Sequence, residues 1–488
     1  MYCMKSVVMI SYFFPPEGSA GVYRSLRFVR QLTRMGWKTT VVTVQPYRHE
    51  RFDSNLLTQV PPETEIIAVE VRDPWLAFQA WRGKNLEKQL SDAPPETIKR
   101  LHISQHTSFR SKVREIIRTA EAYYYFPDFA KPWIRPAVQR TTERMAKNPH
   151  QVLWATIGPV SAGVVAQQIS QFTKIPYVLD FRDPWELYYY ESENVRPKGL
   201  TCAAQRTLYS LFEGARSVVF LFPRMAECYL RAYRGALDPA KIHIIPNGYE
   251  GDIEEFRMPE CTRCTILYGG TLSSYRYDTL LQAIQNLKIQ DPIVASQLRI
   301  SFVGDGMMPL ARMAESLDIS DVVQTAPPVP YDEVKRLNGN AHAFLILGRS
   351  PDRKGHELVA GAKLFGYFKS RKPIVGVLPQ DETKAILSSV GVETLADADS
   401  VPDIVQVLKR VHGCWAQGNL ESLLPNIHAC RKFNSEPQTV ALIRALEGFP
   451  PKEPFEPGKI DLPESLRPSI EDQCLWYRPN KGVGPSGS

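Results

Sequence analysis

Apolar and polar positions along this chain follow a repeating rhythm: a short buried-looking run, a turn built on glycine or proline, then apolar residues at helical spacing. The run 5–14 (KSVVMISYFF) reads as a strand and leads into the loop 15–21. Val22, Leu26, Val29 and Leu32 then form a stripe on a helix that Gly36 ends, with Arg24, Arg27, Arg30 and Arg34 mostly off that stripe. Residues 39–44 (TTVVTV) are a second buried strand. Runs 152–156, 177–180, 217–221 and 242–245 continue the series, and Pro246-Asn-Gly-Tyr249 stops it with turn chemistry.

The rhythm begins again at 264–284 (CTILYGGTLSSYRYDTLLQAI). Residues 265–268 predict a strand, Gly269 and Gly270 break it, and Leu280, Leu281 and Ile284 fall at helical spacing. Further strands are predicted at 298–303, 322–323, 343–347 and 373–378, with a helix opening at Lys363 behind Gly361. One core rarely grows past about 250 residues, so the restart marks a second domain. Strands alternating with helices in both halves predict parallel sheets.

Between residues 73 and 148 the texture changes to helical stretches rich in arginine and aromatics: Trp75, Phe78, Trp81, residues 123–126 and Trp133. This is expected to be a helical insertion. Its aromatics suit either a core or an acceptor groove at a lipid headgroup surface. Residues 435–446 read as a last helix with Ser435 as its cap. The proline-rich stretch 450–488 is expected to be extended or disordered.

The chain has 488 residues, 43% of them hydrophobic, so it is globular and long enough for two or three domains. No apolar run reaches the roughly 18 residues of a membrane span. The eight cysteines are scattered, which agrees with a cytoplasmic location. Charge is divided unevenly: residues 1–250 carry 33 Lys and Arg against 23 Asp and Glu, or +10, and the remainder 26 against 29, or −3. A basic first half attracts phosphates or an anionic membrane at its cytoplasmic face; a solubility surplus on exposed helices accounts for the same numbers. Nucleic acid is not an expected partner.

The chemistry-bearing residues cluster where parallel strands give out into loops, the edge at which open sheets bind ligands. Gly18, Ser19, Ala20, Gly21 and Arg24 follow the first strand and are expected to form the acceptor-side loop that walls the cleft opposite Gly269 and Gly270. They lack the third glycine and the acidic residue of the dinucleotide fingerprint, so NAD is disfavoured. Asp180, Arg182 and Asp183 follow another strand and are catalytic candidates, with a loop-fixing Arg–Asp pair as the alternative. In the second half, Gly269 and Gly270 allow close backbone approach, and the helix start at Lys363 and Leu364 offers N–H groups and a full positive charge to a diphosphate.

Taken as a set, residues 12–24 (YFFPPEGSAGVYR), 180–185 (DFRDPW), 245–249 (IPNGY), 267–272 (LYGGTL) and 363–367 (KLFGY) resemble the motifs of retaining glycosyltransferase family 4, in the order found there. The resemblance spans about residues 5–447. It implies the α/β GT-B fold: two facing Rossmann-like domains at 1–248 and 262–432, with a helix at 433–448 that crosses back to the first. It also implies transfer of a sugar from a nucleotide-sugar donor to a glycan or lipid-linked acceptor, with retention, no metal and no cofactor, in cell-surface polysaccharide or glycoconjugate synthesis. The donor contacts would be Gly269, Gly270, Thr271, Arg276, Glu357, Lys363 and Leu364. The sequence departs from the family at three places. Thr271 stands where an arginine is expected, and Leu358 and Gly366 where a pair of glutamates is expected, with Glu357 one position off. A catalytically silent GT-B scaffold is therefore the rival expectation.

Overall fold

The computed structural model describes residues 4–45, 52–77, 108–185, 198–350, 356–460 and 462. Phe78, Trp81 and the stretch after Leu462 lie outside them.

Seven strands form the first sheet: β1 Ser6–Ile10, β2 Lys38–Val44, β3 Glu65–Val69, β4 Val152–Ile157, β5 Tyr177–Phe181, β6 Ser217–Phe220 and β7 Ile242–Ile244. Every pair is parallel, in the order β3-β2-β1-β4-β5-β6-β7. The second sheet has six: β8 Cys264–Gly269, β9 Leu298–Val303, β10 Val323–Ala326, β11 Ala343–Leu347, β12 Ile374–Leu378 and β13 Leu395–Asp397. These too are parallel, ordered β10-β9-β8-β11-β12-β13. In both sheets the order runs outward from the first strand and then reverses. A crevice therefore opens at the carboxyl edge between β1 and β4, and another between β8 and β11.

Helices cover the sheets because their apolar stripes must be buried. Among them are α1 Ala20–Arg34, α2 Ser108–Tyr124, α3 Lys131–Lys147, α4 Ser161–Thr173, α5 Pro223–Ala232, α6 Asp278–Gln290, α7 Lys363–Ser370, α8 Glu382–Ser389 and α9 Ser435–Glu447. The stripe Val22, Leu26, Val29 and Leu32 on α1 is fully buried, which contributes roughly 1.5–3 kcal/mol per side chain. Trp133 on α3 is buried in the first domain's core, so this aromatic is packing rather than a groove lining. The polar turn of α3 is tied down by Asp128, which accepts from Ala130 N–H at 3.0 Å and from the Ser161 hydroxyl at 2.7 Å.

α9 lies against α1, β4, β5 and β6, with Leu442, Ala445 and Leu446 in the first domain's core. Its cap is Asn434, which accepts from Glu436 N–H at 3.0 Å; the expected cap Ser435 instead hydrogen-bonds Gln31. Beyond α9 the chain continues through bends and a turn. Phe455 and Leu462 are buried in the apolar cluster that the two halves share, and Gly458 N–H donates to the Glu227 carboxylate on α5.

The two halves touch through apolar and polar contacts. Leu358, Phe365 and Phe368 of the second half join the same apolar cluster as Phe222 and Tyr229 of the first. Glu382 at the start of α8 accepts from Arg224 N–H in the first turn of α5, at 2.8 Å, and the Arg224 guanidinium donates to Gln380 O at 2.7 Å. Among the described residues no helix is long and apolar enough to cross a membrane.

Candidate active site

At the first crevice the charged residues are engaged with one another and with backbone. Asp180, at the end of β5, is wholly buried and accepts both Arg24 Nε–H at 3.0 Å and Arg24 Nη2–H at 2.8 Å. Arg24 also donates to Pro246 O at 3.0 Å, so this bidentate pair locks α1 to β5 and to the 246–249 turn. Neither residue meets the cleft, which corrects Asp180 as a catalytic candidate and Arg24 as a cleft residue. Arg182 donates to Gly21 O at 2.6 Å and to Gly158 O at 2.9 Å, drawing together the loops after β1, β4 and β5.

Gly21 does not wall an open cleft. A methyl group built on it would lie 2.1 Å from Arg182 Nη1, so its missing side chain makes room for a guanidinium and not for a sugar. Gly18 and Ser19 stay half-buried in the loop, where Ser19 N–H donates to a Glu17 carboxylate oxygen at 3.2 Å. Ala20 opens α1. Of the three catalytic candidates, Asp183 keeps the most solvent access, 32% of its side chain, with Arg182 3.7 Å away.

The α1 arginines do not make a basic face either. Arg27 is buried beside the Phe28 ring, and burial brings its pKa down to about 9. Arg30 pairs with Glu250 at 3.2 Å, while Arg34 is exposed.

The second crevice holds a small pocket that is partly open to solvent. Its floor is Leu345, Ile346 and Leu347 of β11, and Tyr268, Tyr275 and Tyr367 form aromatic walls. Gly270 has φ +122° and Gly304 φ +141°, and their backbones touch: a side chain on Gly304 would strike Gly270 O. Here positive φ and the close approach of another backbone both demand glycine. Lys363 lies against the bare Cα of Gly270, with its ammonium 5.1 Å from the centroid of the Tyr268 ring. Lys363 is exposed as a residue, yet the protein around its ammonium displaces enough water to lower its pKa to about 8.

The remaining expected donor contacts divide. Leu364 lines the pocket, and its N–H already donates to Gly361 O at 3.3 Å. Gly269 ends β8 at the turn. Thr271 is exposed, and its carbonyl accepts from the Tyr268 hydroxyl at 2.8 Å. Arg276 is outside the pocket, paired with Asp399 at 2.6 Å. Glu357 faces α5 instead: burial pushes the Cys228 thiol there up to about 12, and Glu357 adds to the rise. Leu358 is core, and Gly366 faces open space, so no carboxylate occupies either position.

The pocket also contains residues that sequence reasoning did not single out: Arg349, Asp381 and Thr383. All three follow β11 or β12 at the carboxyl edge, a placement that would have flagged them.

No protein-family profile matches the chain, and no curated protein sequence matches it. Its structure is similar to several solved ones. Sucrose-phosphate synthase from Thermosynechococcus elongatus superposes with a TM-score of 0.54 at 12% identity, over 90% of this chain and 98% of that one. TarM gives a TM-score of 0.56 at 10% identity over 91% and 99%. The E. coli trehalose-6-phosphate protein bound with UDP-2-fluoro glucose gives 0.54 at 10% over 92% and 100%. These likenesses, with two parallel sheets of Rossmann order, establish the GT-B fold.

Proposed function

We propose that the protein is a glycosyltransferase that binds a nucleotide sugar in the β8–β11 crevice and passes the sugar to an acceptor held against the first domain. The observation that carries this reading is the pocket itself. Glycine backbone, a lysine with no ion-pair partner among the described residues, a helix start and aromatic walls converge at the switch point of the second sheet, on a fold whose solved examples include one carrying UDP-2-fluoro glucose. A departing nucleoside diphosphate gathers negative charge, and a preplaced cation aimed at it lowers the barrier. Lys363 stands where that charge would develop.

Retention at the anomeric carbon, independence from metal, and a glycan or lipid-linked acceptor belong to the same proposal through the motif series. A membrane bearing such an acceptor would be met by the helical region 108–147 with Arg30 and Arg34 of α1, since Arg27 is buried. The rival, a silent GT-B scaffold, is favoured by one observation: the core placement of Leu358 and the open position at Gly366 leave two acidic sites of the resembled family without carboxylates.

Thermal shift against a panel of nucleotide sugars tests the first reading. A donor at 100 times its dissociation constant stabilises by about 2.7 kcal/mol, and a panel that shifts nothing overturns the donor site. Donor turnover abolished by Lys363→Ala would dismiss the scaffold.

A further inference from the structure

β8 and β11 are neighbours in the second sheet, so the segments that follow them leave the edge side by side. Backbone hydrogen bonds zip these segments together. Arg276 N–H donates to Gly348 O at 3.0 Å, Ser350 N–H donates to Ser274 O at 3.0 Å, and Tyr275 and Arg349 form the antiparallel bridge between them. Residues directly opposed in an antiparallel pair send their side chains to one face, and the next residue along points to the other. Tyr275 and Arg349 accordingly both line the pocket. Arg276 is turned to the far face, where it meets Asp399.

Strand alternation thus withdraws Arg276, next in sequence to Tyr275, and presents Arg349 in its place. We propose that Arg349 and Lys363 form a two-sided clamp on the diphosphate of the donor, Arg349 supplying the planar guanidinium that position 271 lacks. This rests on reading the pocket as a nucleotide-sugar site. The two cations come from different walls: Lys363 from the start of α7, Arg349 from the ribbon. The Lys363 ammonium lies over the Tyr268 ring, which lines the same pocket as Arg349. The division of labour is chemically apt, since a guanidinium grips two oxygens in parallel and an ammonium acts as a point charge.

The test measures dissociation constants of UDP, GDP, ADP and dTDP, and of the matching monophosphates, for wild type, R349Q, R349K, R276A and T271R/R349Q. A charge-assisted hydrogen bond is worth about 1.5–3 kcal/mol, so R349Q should weaken the bound diphosphate by about 10- to 100-fold. The matching monophosphate should change far less, R276A should stay within about two-fold, and T271R should recover part of the loss by restoring a guanidinium from the facing turn. R349K, which keeps the charge, should retain fold and intermediate affinity even if R349Q proves unstable. If wild type binds a diphosphate and R349Q and R349K bind it equally well, the clamp is wrong and the donor site stands. A loss in R276A and not in R349Q overturns the face assignment. If wild type binds none of the eight nucleotides, the donor reading itself fails.

Discussion

Lys363 is a cation held in a cleft with no carboxylate in ion-pair contact among the described residues, and its pKa falls to about 8 because protein replaces part of its water. A free group at that value is protonated at pH 7 and mostly neutral at pH 9. An anionic ligand favours the charged form, so diphosphate affinity should be full near pH 7 and decline through pH 8 to 9. Isothermal titration across that range checks the direction, and Lys363→Arg, which stays charged, should flatten the profile. An unchanged profile in wild type would mean that Lys363 does not face the bound anion. Lys363 was readable from sequence because its signal is local: a cation opening a helix just behind glycine. Arg349 was readable only as a cation just past a predicted strand; that it enters the pocket depends on which strands are neighbours and which face the alternation selects. Asp180 misled for the opposite reason. Its position at a strand's carboxyl edge is correct, but the partner that occupies it, Arg24, is 156 residues away.

At the scale of elements, the loops after β1, β4 and β5 are tied by one guanidinium. Arg182 reaches Gly21 O and Gly158 O, and it occupies the space where a Gly21 side chain would go. Gly21→Val should therefore act on stability, by about 1–3 kcal/mol for forced overpacking, and displace Arg182 from both carbonyls. Chemical denaturation reads this directly; an unchanged midpoint with lost transfer would restore the loop as a substrate wall. The same scale shows what the hydrophobic pattern conveys. Strands with continuous apolar runs, such as β1, β4, β5 and β11, are legible because both faces are buried. β3 and β13 were not predicted. β3 is an edge strand, half exposed and flanked by charge, and β13 has three residues, so neither carries a run long enough to stand out. The tail is comparable: its prolines rule out a helix, but only the structure shows Phe455 and Leu462 buried in the apolar cluster that the two halves share.

At the scale of the whole molecule, the loop that borders the β8–β11 pocket also grips the other domain. Asp381 and Thr383 line the pocket, and Glu382 between them caps α5 across the interface by accepting from Arg224 N–H. Burial raises the Glu382 pKa to about 7, a rise that the Arg224 N–H and guanidinium oppose and Asp381 reinforces. The native state thus holds this proton more tightly than the unfolded chain, where glutamate titrates near 4.3. The contribution to stability is whole below about pH 4.3, is lost as pH rises through about 7, and stays lost above it. The swing is on the order of 1–3 kcal/mol. Glu382→Gln keeps an acceptor for Arg224 N–H without the titration. Its unfolding midpoint should exceed that of wild type at pH 8 and approach it at pH 5, with Arg224 retained as the partner in both. A wild-type midpoint that rises between pH 5 and 8 relative to Glu382→Gln would show instead that the ionised carboxylate is the stabilising form, held by the Arg224 charge and the α5 terminus against its burial.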